Sequence, residues 1–327
     1  MREETMIIRR RGLLAAPLLM AAGSARAQGG WPSRPIRLIV AYAPGGATDV
    51  SARLLAPRLS ERLGQNVVVE NRTGGGGTVA GAAVAQAAPD GYTLLCDTFS
   101  HIVNPLLLRN LAFDYDTAFI GVTRIASFPQ TLAVRRNSPF SDLKGLIAAV
   151  QANPGSVSAG FAGIGTASHL MLERFRYVSG AALNTVPYRG AGDAARDLAG
   201  GNLEVAALAF STAAQLADAG QARLLAVATA ERLPVRPQLP TMLESGLPGM
   251  VFSDFAGIFA PAATPAPVRQ QIQVAVRETL AEPGIQARLS DMQAALGGDE
   301  PDAFATWIRS MRSDMAGLIR DAQIKVE

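Results

Sequence analysis

The chain holds one cysteine, Cys96, and two histidines, His101 and His169. A single cysteine excludes an intrachain disulfide. With so few Cys and His, neither a three-histidine zinc site nor a Cys/His cluster can be assembled. Cys96 ends the apolar run 92–96 and reads as a buried strand residue rather than a reactive thiol. Charged residues are only 17% of the chain and aromatics 6%. Trp31 and Trp307 lie near opposite ends and make no stacking platform for bases. There is no G-x-S-x-G nucleophile elbow, no complete G-x-G-x-x-G and no Walker lysine. The polar shortfall is filled by 32 Gly and 20 Pro, a turn-rich globular composition and not a disordered one.

The first 27 residues read as a leader. Arg9, Arg10 and Arg11 form a positive start, residues 12–22 an apolar stretch too short to span a bilayer, and Ala25-Arg-Ala27 a small-x-small cleavage site. A retained membrane anchor is the alternative; the Pro17 break and the Ala-x-Ala end favour cleavage near Gln28. Arg10-Arg11 also suits a twin-arginine signal. The whole chain has 30 basic and 27 acidic residues, and the leader holds five and two of these, which leaves 25 of each. The apparent basicity therefore belongs to the leader, and nothing electrostatic points to nucleic acid.

Beyond the leader, strand and helix patterns alternate. An apolar strand at 36–42, a helix at 49–63, a strand at 67–71, a helix at 79–88 and a strand at 92–96 make a βαβαβ run with a parallel sheet. The expected apolar face of the first helix is Val50, Leu54, Leu55, Leu59 and Leu63. The alternation restarts between residues 142 and 229, and amphipathic helices at 267–280 and 303–322 close the chain. Extended segments at 119–126, 131–135 and 251–259 read as strands crossing between two lobes. The expected division is residues 28–125 with 250–327 for a discontinuous first lobe, and 126–249 for the second.

Three glycine-rich strand-to-helix turns carry the chemistry. In Pro44-Gly-Gly-Ala-Thr-Asp49, Gly45 and Gly46 let a ligand approach the backbone, and the following helix start offers free N–H groups to a carboxylate or phosphate. The same residues also suit an ordinary βα turn with Thr48 or Asp49 as N-cap. Asn71-Arg-Thr-Gly-Gly-Gly-Gly77 is a flexible loop facing the same cleft. Gly163-Ile-Gly-Thr-Ala-Ser-His169 is a second anion cradle in the other half of the chain, with Thr166 and Ser168 adding hydroxyls and His169 structural. Asp97, Ser100 and His101 are the types of a catalytic triad, but adjacency in sequence is not triad geometry, and no catalytic residue or cofactor is assigned.

These motifs, with Trp31-Pro-Ser-Arg-Pro-Ile36, Pro89-Asp-Gly-Tyr-Thr-Leu94, His101-Ile-Val-Asn-Pro105, Val186-Pro-Tyr-Arg-Gly190 and Pro240-Thr-Met-Leu-Glu-Ser-Gly246, resemble in order and spacing the Bug-type (Bordetella uptake gene) receptors, the substrate-binding component of tripartite tricarboxylate transporters. The resemblance implies an α/β, two-lobed Venus-flytrap periplasmic-binding-protein fold with parallel-core sheets flanked by helices. It implies a periplasmic protein that closes on a small carboxylate and delivers it to integral membrane transporter subunits; a monomer is the expectation for a soluble receptor, and the missing catalytic motifs argue against an enzyme. A periplasmic sensor feeding a signalling receptor and an exported α/β hydrolase are the alternatives. By matching position, the ligand site includes Gly45, Gly46, Thr48, Asp49, Gly76, Gly77, Thr78, Ser100, His101, Gly163, Gly165, Thr166 and Ser168, with Phe210 and Ser211 added at the end of a second-lobe strand. The chain departs from the family at Asp97, at Asp254 and at Phe255, which stands where Trp is common. If either aspartate faces the cleft, a plain polyanion is repelled, and a ligand with one carboxylate and an amino or hydroxyl group is favoured.

Overall fold

A computed structural model describes residues 30–324, so the leader lies outside the described residues. The strands are β1 (Ile36–Val40), β2 (Val67–Asn71), β3 (Thr93–Asp97), β4 (Phe119–Arg135), β5 (Ser158–Phe161), β6 (Asn184–Pro187), β7 (Val205–Ala209), β8 (Ala222–Val227), β9 (Ser253–Pro261) and β10 (Ala295–Leu296). The helices are α1 (Ala47–Leu63), α2 (Thr78–Ala85), α3 (Ser100–Leu107), α4 (Tyr115–Ala118), α5 (Leu143–Ala152), α6 (Ala167–Ser179), α7 (Ala191–Gly200), α8 (Phe210–Asp218), α9 (Ala266–Leu280), α10 (Pro283–Asp291) and α11 (Pro301–Asp321).

The strand order is β2-β1-β3-β9-β4-β7-β5-β6, with β8 and β10 also on β4. Two sheets meet in β4. Its first part, from Phe119 to Pro129, pairs antiparallel with β9, and its last part, from Gln130 to Arg135, pairs with β7 and β8. The first sheet holds β1, β2 and β3 in parallel and draws β9 and β10 from the far end of the chain. The second holds β5, β6 and β7 in parallel. The two extended segments expected at 119–126 and 131–135 are one unbroken strand. The segment around β9 stays with the first sheet, while Phe252 just before it bonds to Gln130 and Ala228.

The central parallel strands are covered on both faces, while the edge strands β2 and β6 are only partly covered. On β1, Ile36, Leu38 and Val40 pack with α1, α9 and α10, while Ile39 joins the opposite core that runs on to α11 and α6. Each such side chain contributes roughly 1.5–3 kcal/mol by leaving water. Helix α1 starts at Ala47, before the expected Asp49, and buries Ala52, Leu55, Ala56 and Leu59. Val50 is exposed, because residues 48, 52, 55 and 59 make the inward stripe at helical spacing. Gly64 ends the helix in the left-handed conformation, φ 70°. Residues 100–107, to which the sequence pattern assigns no element, are helix α3: buried Ile102 and Val103 anchor it, and Pro105 sits within it.

Candidate functional site

In each sheet the chain reverses its direction of winding at one strand. β1 has β2 on one side and β3 on the other; β5 has β6 on one side and β7 on the other. Such switch points open crevices at the carboxyl ends of the strands, where α/β proteins bind ligands. The glycine turns expected from sequence follow β1 and β5, the ends of β3 and β7 carry Ser100 and Ser211, and the Gly74–Gly77 loop follows β2.

The turn after β1 is held from inside by Asp49. Its carboxylate accepts from the Gly45 N–H at 2.9 Å, from Asn71 Nδ2 at 2.8 Å and from Arg53 Nε at 2.9 Å. Burial works to raise the Asp49 pKa, yet these bonds outweigh it and hold it below the usual carboxylate range. Asp49 therefore braces the turn, and neither Thr48 nor Asp49 is the N-cap: that position is Gly46, which has no side chain to cap with. Among the described residues the N–H groups of Ala47 and Thr48 donate to no protein acceptor.

The turn after β5 has the same logic with different parts. Thr166 caps α6, its hydroxyl donating to Gly163 O at 2.7 Å and accepting from His169 N–H. Ser168 Oγ accepts from Ala162 N–H at 3.1 Å. His169 Nδ1 accepts from Gly165 N–H at 3.2 Å, so the ring carries its proton, when neutral, on Nε2. Burial, with Arg176 nearby, pushes the His169 pKa down to about 4. The ring stacks on Phe161. The N–H groups of Ala167 and Ser168 have no protein acceptor among the described residues.

Gly74, Gly75, Gly76 and Gly77 all have positive φ, at 130°, 55°, 61° and 97°. Only glycine adopts four such conformations in a row without strain. A Cβ on Gly77 would lie 3.3 Å from Asp97 Oδ1 and 3.4 Å from Ser100 Oγ, so this loop presses on the start of α3. Thr78, after that loop, opens α2.

The start of α3 differs from an open anion cradle. Asp97 is fully buried; it accepts from Thr98 N–H at 2.9 Å and Ser100 Oγ at 3.2 Å. His101 Nδ1 lies 3.3 Å from Asp97 Oδ2 and, facing an acceptor, carries the proton. Burial lowers the His101 pKa, against the pull of Asp97. The imidazole stacks on Phe259 at 3.7 Å and meets Tyr115 and Phe119 edge-on, so its side chain belongs to the core. Ser100 bonds to Asp97 and to the Tyr42 hydroxyl, and Asp97, Ser100 and His101 thus hold no serine–histidine pair. Phe210 is likewise a core residue, packed with Val227 and Leu239, while Ser211 beside it is partly exposed.

Two residues absent from the expected set join these parts. Tyr42 accepts from Thr98 Oγ1 at 3.0 Å and shares a short bond with Ser100. Asn104 donates to Gly76 O and to Tyr115 Oη, both at 2.9 Å. A Cβ on Gly76 would lie 3.8 Å from Asn104 Oδ1, and one on Gly165 would lie 3.9 Å from the same atom. Asn104 thus stands between a loop of the first sheet and a loop of the second. The spacing of Ser100 and Asn104, four residues apart on one helix face, was the available signal, but it is visible only once α3 is recognised as a helix.

The comparisons agree with this arrangement. Residues 51–310 match the model of the tripartite tricarboxylate transporter family receptor. Protein BugT of Bordetella pertussis is 32% identical over 299 residues, covering 91% of this chain and 92% of its own. Among solved structures, R. palustris Rpa4515 with adipate is 32% identical with TM-score 0.83, covering 90% of this chain and 99% of its own. MatC of Rhodopseudomonas palustris with bound malate is 30% identical with TM-score 0.79, covering 88% and 100%. The fold is the two-lobed α/β fold of periplasmic binding proteins, and the chain belongs to the tripartite tricarboxylate transporter receptor family.

Proposed function

We propose that this protein captures a small organic carboxylate between its two lobes in the periplasm and delivers it to integral membrane transporter subunits. The observation that carries the reading is a glycine-rich turn after β1 and another after β5, each followed by a helix start with free N–H groups, with Asn104 between the Gly76 loop of the first sheet and Gly165 of the second. A carboxylate bridging Ala47 and Thr48 on one side and Ala167 and Ser168 on the other neutralises two positive helix ends at once. The relatives that hold adipate and malate support a ligand of this size and charge.

The lobes divide at 28–125 with 250–327 and at 126–249, joined through β4, and the protein acts as a monomer and without catalysis. Gly45, Gly46, Thr48, Gly76, Gly77, Gly163, Gly165, Thr166 and Ser168 line the cleft through backbone and hydroxyl groups. Asp49, Thr78, His101, Phe210 and Ser211 support it from behind. Ligand contacts with both lobes favour the closed state, the form a membrane partner recognises.

Calorimetric titration of residues 28–327 with malate, adipate and related acids tests this. One-to-one binding of at least one acid, recovered unchanged, is expected. Chemical conversion of the acid, or no binding across the set, contradicts it.

A further inference from the structure

Among the described residues two acceptor atoms beside α3 lack donors, one on Asp254 at its start and one on Asn104 a turn further on. Asp254 stands at the start of β9, opposite Phe128 of β4, where the two sheets join. Its Oδ1 accepts from Phe99 N–H at 3.1 Å and Phe255 N–H at 2.8 Å. Its other oxygen accepts no hydrogen bond among the described residues, and the side chain is only partly buried. Asn104 is 4% exposed, and both its bonds use Nδ2, which leaves Oδ1 without a donor beside the Gly76 and Gly165 loops. Asp97, the other aspartate here, is fully buried and bonded through both oxygens.

Neither oxygen is among the buried side-chain atoms left without a partner, so both remain open to a donor brought by a ligand. The two free helix starts ask for an anion; Asp254 and Asn104 ask for a donor. We infer that Asp254 is a specificity determinant that selects carboxylates bearing an ammonium group, its free oxygen and Asn104 Oδ1 receiving the N–H donors while the carboxylate end lies on the helix starts. This rests on the reading of the cleft as a carboxylate site. A plain dicarboxylate would set a second anion against Asp254, with Asp97 close behind, and is disfavoured by like-charge repulsion.

The experiment is a calorimetric comparison of acids that differ only in the ammonium group: aspartate against succinate, glutamate against glutarate, and 2-aminoadipate against adipate. Wild-type protein is expected to bind the amino member of at least one pair tenfold or more tightly. Asp254→Asn keeps an oxygen for Phe99 and Phe255 but turns a donor toward the ligand. It is expected to lose tenfold or more on the amino acid and to gain on its plain partner. Wild-type preference for the plain acids overturns the inference without recourse to any variant, as does an equal loss on both members in Asp254→Asn. Binding of none of the six acids overturns the inference for these ligands together with the carboxylate reading; binding of plain acids alone leaves that reading standing.

Discussion

Asn104 donates to the carbonyl of Gly76 at 2.9 Å, and its carboxamide oxygen lies on the side where Gly165 approaches. One side chain on α3 thereby fixes the loop of one sheet and faces the loop of the other. Asn104→Leu keeps the volume but leaves Gly76 O and Tyr115 Oη without their donor. Stability is expected to fall by about 1–3 kcal/mol in chemical denaturation. Ligand affinity, measured by titration, is expected to fall at least tenfold, because the Gly76 loop loses its anchor in the cleft.

Gly77 and Gly284 should respond in opposite ways to alanine. Gly77 has φ 97° and faces Asp97 and Ser100, so Gly77→Ala is expected to cost about 1–3 kcal/mol and to weaken binding. Gly284 lies in α10 with open space around it. Gly284→Ala is expected to stabilise by up to about 1 kcal/mol through helix propensity, with binding unchanged. Urea unfolding of both variants checks the pair.

The two histidines and Asp254 act in opposite directions as pH falls from about 6 toward 4.5. His169, held down to about 4 by burial, refuses a proton that the unfolded chain takes near its ordinary 6.5, so its contribution is lost as pH drops. His101, also lowered, acts in the same direction. Asp254 is raised to about 6, by burial first and by the charge of Asp97, against the bonds from Phe99 and Phe255. It holds a proton that the unfolded chain has released, so its contribution grows as pH drops through 6 and vanishes as pH rises above it. Melting temperatures between pH 7 and 4.5 are expected to fall more steeply in Asp254→Asn than in wild type, and less steeply in His169→Gln.

Cys96 is fully buried in β3, and burial beside Asp97 raises its thiol pKa well above the usual range. Thiol reagents attack the thiolate, and are expected to label the protein only after unfolding. Labelling in native buffer at the rate of a free thiol would contradict the packing of β3.

The parallel strands, their covering helices and the three glycine turns were legible because period, turn chemistry and helix starts are local signals. The start of α3 was not. Ser100 and His101 enter the expected ligand site by matching position, with no helix assigned to them. The structure instead fills that helix start with Asp97 and Asp254, the second brought in from 155 residues away. No local pattern encodes that contact. Phe210 was placed in the cleft by its position at a strand end, but it opens α8, and its side chain turns into the core with Val227 and Leu239. Backbone position was readable there and side-chain direction was not.

The central claim is that one ligand touches both glycine turns. A crystal structure of residues 28–327 with a bound acid tests it directly. The expected result is a carboxylate oxygen within hydrogen-bond distance of Ala47 or Thr48 N–H on one lobe and another ligand atom within the same distance of Ala167 or Ser168 N–H on the other. A ligand seated elsewhere, or held by one lobe alone with the lobes closed, would contradict it.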